Sequence, residues 1–185
     1  MAERVCPPWV GYFLVNPLRR FWHNPEKILS PFVSNGMTVL DVGPGMGYFT
    51  LPMARMVGAT GKVVCVDVQA AMLHALRKRA QAAHLDERIV TRTCDAASLC
   101  LDEFAGKIDF ALAFAVVHEI PDTVNFFAEV GKVLKPGACC LVAEPKGHVS
   151  AQQFTETLAI AQQQDIHAVG CPQIAGCHTA LLKKG

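Results

Sequence analysis

Residues 38–51 read TVLDVGPGMGYFTL. A buried-strand pattern runs into three alternating glycines and then into a stretch expected to be helical from about Met46. Gly43, Gly45 and Gly47 have no Cβ, so the backbone can take positive φ and let a ligand lie against it, while helix N–H groups point at the same place. A dinucleotide-binding turn would want a further glycine at position 48, where this chain has Tyr48. Asp41 adds a negative charge near the mouth of the loop, which suits a ligand ammonium better than a phosphate.

The next strand-like run, 62–68, is Lys-Val-Val-Cys-Val-Asp-Val and carries Asp67 near its end. Neighbouring strand ends sit about 5 Å apart, so a carboxylate at the end of a second parallel strand can accept both hydroxyls of a ribose bound at the first. The other reading is that Asp67 caps the helix expected near Gln69. S-adenosylmethionine fits both the glycine spacing and the two carboxylates. It is the expected cofactor, and no metal is required.

With these residues in view, the chain resembles a class I S-adenosylmethionine-dependent methyltransferase. Three further motifs fall in order: Cys94-Asp95-Ala96; the strand Ile108 to Val117 followed by His118-Glu119-Ile120-Pro121-Asp122; and Val133-Leu134-Lys135-Pro136-Gly137. Within that class it is similar to the small methyltransferases of ubiquinone and menaquinone biosynthesis, and more distantly to arsenite methyltransferases. The resemblance implies a Rossmann-like, doubly wound α/β fold. Its seven-stranded sheet would be mostly parallel with an antiparallel C-terminal strand and helices on both faces.

Periodicity places strands near 37–42, 62–67, 88–93, 108–115 and 138–143, and helices near 46–57, 69–83 and 122–134. A short helix is expected within 96–104. Ser150 and Gln153 form a capping-box pattern for another, and 167–171 with 178–183 read as a terminal antiparallel pair. Residues 1–35 are expected to form a helical cap or lid, and 36–185 the cofactor-binding domain.

Ligands of open parallel sheets bind outside the carboxyl ends of the strands, where the winding reverses. The strand-end candidates for the cofactor are therefore Asp41, Gly43, Gly45, Gly47 and Asp67, with Val68 and Met72 as apolar walls for an adenine. The resemblance adds Asp95 for the adenine amino group, the Ala96 amide for the ring, and the Phe114 and Ala115 backbone for the methionine moiety. It also places His118 toward the acceptor, although a histidine at a strand exit can equally cap or hydrogen-bond. Glu144 and His148 follow the strand 138–143 and could orient or deprotonate an acceptor. They could also belong to a loop salt-bridged through Lys146.

Sequences of this resemblance usually build the acceptor wall before the first strand. Here that segment holds Trp9, Tyr12, Phe13, Arg19, Arg20, Phe21, Trp22 and His23. Its arginines could pair with an acidic substrate; the alternative is an amphipathic helix with its aromatic residues in the core and its arginines in water.

The chain has 185 residues, a net charge of +1 and eight cysteines. That length can bury a core without metal or disulfide support, and the charge argues against a broad nucleic-acid surface. Arg77-Lys78-Arg79 reads as a solvated helix face. The apolar stretch 9–15 is too short for a signal peptide or a membrane span, and the expected location is cytoplasmic. Cys65, Cys139 and Cys140 fall in strands, where a thiol is a small hydrophobe.

The expected partner is a small-molecule methyl acceptor taking the group by in-line displacement, and the protein a monomer or homodimer. Two other functions remain open. One is a cofactor-binding regulatory or scaffold protein without turnover. The other is metalloid methylation using thiolates from among Cys6, Cys94, Cys100, Cys171 and Cys177, for which the spacing supplies no close pair.

Overall fold

A computed structural model describes residues 17–95 and 97–185. Seven strands form one sheet: β1 (Thr38–Val42), β2 (Lys62–Asp67), β3 (Ile89–Thr93), β4 (Ile108–Phe114), β5 (Leu134–Pro145), β6 (Ile166–Gly170) and β7 (Cys177–Lys184). Their order is β3-β2-β1-β4-β5-β7-β6. β7 alone runs antiparallel, pairing with β5 and β6. The winding therefore reverses between β1 and β4, which pair in parallel at the centre, and the crevice between their carboxyl ends is where a ligand fits.

Alternation along the buried strands sends successive side chains to opposite faces. Val39, Val63, Cys65, Phe110, Leu112 and Leu141 pack under α1 (Pro25–Leu29), α2 (Thr50–Met56) and α3 (Ala70–Ala82). Leu40, Val64, Val66, Ala111, Ala113 and Val142 pack under α4 (Thr123–Val133) and α5 (Ala151–Gln163). In α3 the buried residues Met72, Leu73, Leu76 and Ala80 recur at helical spacing. Asp122 caps α4 by accepting from the Asn125 N–H, and Ser150 with Gln153 forms the reciprocal capping box of α5.

Three elements depart from the sequence expectation. The first central helix begins at Thr50 and not near Met46: Gly45 and Gly47 sit at φ +54° and +87°, outside the helical range, so 45–49 is a turn. β5 begins at Leu134. Ile108 pairs with Leu134 but Phe110 with Cys139, so Lys135-Pro136-Gly137 bulges out of a strand that was already paired. The stretch before β4 forms only a short 3-10 turn, Asp102–Phe104. Ala96, Cys6, Trp9, Tyr12 and Phe13 lie outside the described residues. Among the described residues no helix is long and apolar enough to cross a membrane.

Residues 17–29 form a 3-10 turn (Pro17–Phe21) and the short α1, whose Leu29 is fully buried. This strap is stitched to the sheet. The Tyr48 hydroxyl donates to the His23 carbonyl at 2.7 Å, and His23 Nε2 donates to the Ala175 carbonyl at 2.8 Å. It thereby joins the turn after β1 to the link between β6 and β7.

Candidate active site

A cavity of about 850 Å³ opens at the carboxyl ends of β1, β2 and β4. Asp41, Gly43, Gly45, Asp67, Val68, Met72, Asp95, Phe114 and Ala115, all expected from sequence, line it, as do His118 and His148. Two expected residues do not. Gly47 packs against Leu76 of α3, where a Cβ would clash, and Glu144 lies behind His118, 2% exposed.

The glycines serve different ends. A Cβ on Gly43 would fall 2.6 Å from Val116 Cγ2, so this glycine lets the exit of β4 close on the loop. A Cβ on Gly45 would meet nothing within 4 Å; this glycine leaves its backbone accessible from the cavity. Arg79 holds the loop from behind through the Met46 carbonyl. The Thr50 hydroxyl, at the start of α2, donates to Asp41 Oδ2 at 2.6 Å. Burial nevertheless pushes the Asp41 carboxyl up to about 7, with the Asp67 charge adding to the shift.

Asp67 accepts the Gln69 N–H at 2.9 Å and a backbone N–H of Gly45, while burial raises it above the ordinary carboxylate range. It is thus both a turn-capping residue and a cavity residue. Asp95 Oδ1 accepts the N–H groups of Ala97 and Ser98, shaping the loop after β3. That loop hangs from α4: Glu129 accepts from the Ser98 hydroxyl and the Leu99 N–H, and the Asn125 amide donates to the Ala97 carbonyl. These clamp residues were not anticipated. The lone carboxylate of that helix, seven residues after the Asp122 cap, was their signal.

At the other end of the cavity, His118 Nδ1 pairs with Glu144 Oε2, while Glu144 Oε1 accepts the Val116 and Val117 N–H groups at 3.1 and 2.9 Å. Glu144 pairs with His118 and not with Lys146. Its hydrogen bond raises the His118 imidazole above its ordinary value. The His118 side chain is 22% exposed, and its ring centroid lies 5.5 Å from that of His148. Glu119 is a cavity residue missed by the sequence reading although it adjoins His118; burial raises its carboxyl. Ala115, between β4 and this pair, holds φ +56°, a left-handed conformation rare outside glycine and found at strained functional turns.

The seven described cysteines are free. Cys94 lines the cavity, but its thiol is pushed up to about 12, first by burial and then by Asp67. Among the described residues no group of three His, Cys, Asp or Glu side chains is placed to hold a metal ion.

A glycine loop open to a ligand, a carboxylate at the end of the second strand and a 3-2-1-4-5-7-6 sheet define the class I S-adenosylmethionine-dependent methyltransferase type. The residues fit that cofactor: open backbone at Gly45, with the carboxylates of Asp67 and of buried Asp41 lining the cavity. Residues 33–176 match the family model described as a methyltransferase domain, and the chain belongs to that family. S-adenosylmethionine is its cofactor.

The chain is 32% identical over 119 residues to a ubiquinone/menaquinone biosynthesis C-methyltransferase of Idiomarina loihiensis, covering 64% of this chain and 47% of that one. It is 31% identical over 141 residues to a ubiquinone biosynthesis O-methyltransferase of a Chelativorans species, covering 74% and 50%. The chain thus spans about half the length of the curated relatives it matches. A solved S-adenosylmethionine-dependent methyltransferase from Aquifex aeolicus superposes with a TM-score of 0.87 at 25% identity, covering 98% of this chain and 100% of the other.

Proposed function

We propose that this protein transfers a methyl group from S-adenosylmethionine to a small, planar acceptor carrying a hydroxyl or another protonated nucleophile. The observation that carries this reading is the pair of buried Glu144 and partly exposed His118, whose imidazole lines the same cavity as Asp67 and Gly45. The aromatic walls Tyr48, Phe49 and Phe114 suit a flat ring, and the relatives named for quinone biosynthesis act at both carbon and oxygen.

When bound, S-adenosylmethionine supplies an electrophilic methyl on a sulfonium. Asp67 would accept the ribose hydroxyls, Val68 and Met72 would wall the adenine, and Asp95 would face its edge. Asp41 would pair with the ammonium, and the Phe114–Ala115 backbone would border the methionine end. Gly43 and Gly47 shape the loop around them. Holding the acceptor in line can remove roughly 7–11 kcal/mol of the barrier.

Glu144 is a positioning residue. Fixed by two backbone donors, it orients the His118 ring so that Nε2 is left to take the acceptor's proton, a contribution on the order of 10²–10⁴-fold. His148 is assigned to the same acceptor pocket, and the strap of residues 17–29 contributes Arg19 to its wall.

The test is release of S-adenosylhomocysteine with a panel of hydroxylated aromatic acceptors, for the wild type and His118→Ala. Turnover that falls at least 100-fold in the variant is expected. Tight nucleoside binding with no release for any acceptor would instead make the protein a cofactor-binding regulator.

A further inference from the structure

Between the end of β3 and the 3-10 turn at Asp102–Phe104, the described residues have no repeating backbone pattern. A stretch of that kind keeps one shape only where other groups supply its hydrogen bonds. Here they come from two places. From within, Asp95 Oδ1 accepts the N–H groups of Ala97 and Ser98 at 2.7 and 2.8 Å. From α4, the Asn125 amide donates to the Ala97 carbonyl at 2.7 Å, and Glu129 accepts from the Ser98 hydroxyl at 2.7 Å and from the Leu99 N–H.

The two sets of bonds meet on the same residues. Ala97 and Ser98, which Asp95 grips, are the ones that Asn125 and Glu129 hold, so the direction of the Asp95 carboxylate is inherited from α4. Both loop N–H groups go to Oδ1, and among the described residues Oδ2 has no hydrogen-bond partner. Asp95 lines the cavity, as do Asn125 and Glu129, which leaves Oδ2 as the oxygen for a donor on the ligand. A hydrogen bond weakens steeply as it departs from linearity, so an exposed carboxylate selects a ligand N–H only if its loop is held still.

We propose that Glu129 is a positioning residue for the base of the cofactor: by fixing the residues that Asp95 grips, it aims Asp95 Oδ2 at the exocyclic amino group of adenine. The assignment rests on the methyltransferase reading above and on its placement of Asp95 at the adenine edge. Calorimetric titration with S-adenosylhomocysteine and with S-inosylhomocysteine, in which a carbonyl replaces that amino group, reads the aim of Asp95 apart from the rest of cofactor binding. Each titration is run on the wild type, Glu129→Ala, Glu129→Gln, Asn125→Ala and Asp95→Asn, with melting temperatures to confirm folding.

The wild type should prefer the adenine nucleoside by about tenfold or more, because a carboxylate oxygen repels the inosine carbonyl. Asp95→Asn keeps an acceptor for Ala97 and Ser98 and puts an NH₂ at the free position, so its preference moves toward inosine. Glu129→Ala should reduce the preference to within about twofold of unity. Glu129→Gln retains it, since the amide oxygen takes the Leu99 N–H and the NH₂ meets the Ser98 oxygen. Asn125→Ala lowers it too, and is the deciding variant should Glu129→Ala fail to fold. Weakening of both nucleosides by one factor, with the wild-type preference intact, overturns the assignment of Glu129 alone. A wild type that binds both nucleosides alike overturns the aim of Asp95 and this proposal with it. A wild type that binds neither overturns the methyltransferase reading itself.

Discussion

Glu144 controls His118 through one hydrogen bond, and that bond has a pH signature. The pairing raises the folded imidazole above its unfolded value near 6.5. Its stabilising effect is therefore fully present below about 6.5 and is lost as pH rises through the folded value. Acting as a base needs the neutral ring, so kcat/KM should climb with pH and level off above 6.5. In Glu144→Gln the new amide oxygen can still accept from Val116 and Val117, but its NH₂ donates to Nδ1 and leaves Nε2 protonated toward the cavity. The plateau should fall about 10²–10⁴-fold and its acid limb move to lower pH. A pH–rate profile of the variant with an unmoved midpoint would show that Glu144 does not act through His118.

Asp41 has the same sign of linkage for a different reason: its charge is penalised by burial, where that of His118 is favoured by a partner. Its folded value of about 7 lies above the ordinary carboxylate value of 3.8, so it costs stability as pH rises from the unfolded value through 7. Asp41→Asn keeps an acceptor for Thr50 without the charge. Its stability advantage over the wild type should grow between pH 4 and 7, reach on the order of 2–4 kcal/mol, and stay flat above. Denaturant melts across that range check it. Affinity for S-adenosylhomocysteine should drop in the same variant, because the ammonium loses its counter-charge.

At the scale of elements, the glycine loop separates folding from binding. Gly43→Ala meets both a positive φ and Val116, so a stability loss of about 1–3 kcal/mol is expected. Gly45→Ala meets only the positive φ and should cost about 1 kcal/mol while weakening nucleoside binding more than Gly43→Ala does. Paired melts and titrations decide this. Ser150→Ala is the contrast: loss of the α5 cap should cost about 1 kcal/mol and leave nucleoside affinity unchanged.

What could be read in advance follows the range of the interactions. β1 and β2 are β-branched runs with carboxylates at or near their ends, so both strands and the Asp67 site are local signals. The start of α2 was misplaced because apolar periodicity does not report the φ of Gly47. Glu144 and His118 were each visible at a strand exit, yet their contact depends on the β4–β5 register that aligns Phe114 with Ala143. Arg20 meets Glu26 only six residues on, whereas the turn of Arg19 onto Tyr48, Phe49 and Phe114 has no local signature, and the strap that carries it is tied by His23 to Ala175 across 152 residues.

The molecule as a whole opens its cavity at the β1–β4 switch, where the class binds its cofactor. Ligand that binds only the folded state should stabilise it by about 2.7 kcal/mol at 100 times Kd, a rise of about 5–10 °C in Tm for a chain of this size. Scanning calorimetry with S-adenosylhomocysteine should show that rise, and NAD at the same concentration should show none.

The strap brings His23 from before the family-matched span of 33–176 onto Ala175 and Cys177 at its far boundary. Two short stretches at opposite ends of the chain thus pack on each other, while the loops that line the cavity lie between them in sequence. Such stretches are free to drift during evolution as long as they drift together. Positions 19, 23, 48 and 175 should covary among homologues, and moving acceptor preference from one family member to another should require grafting both stretches at once.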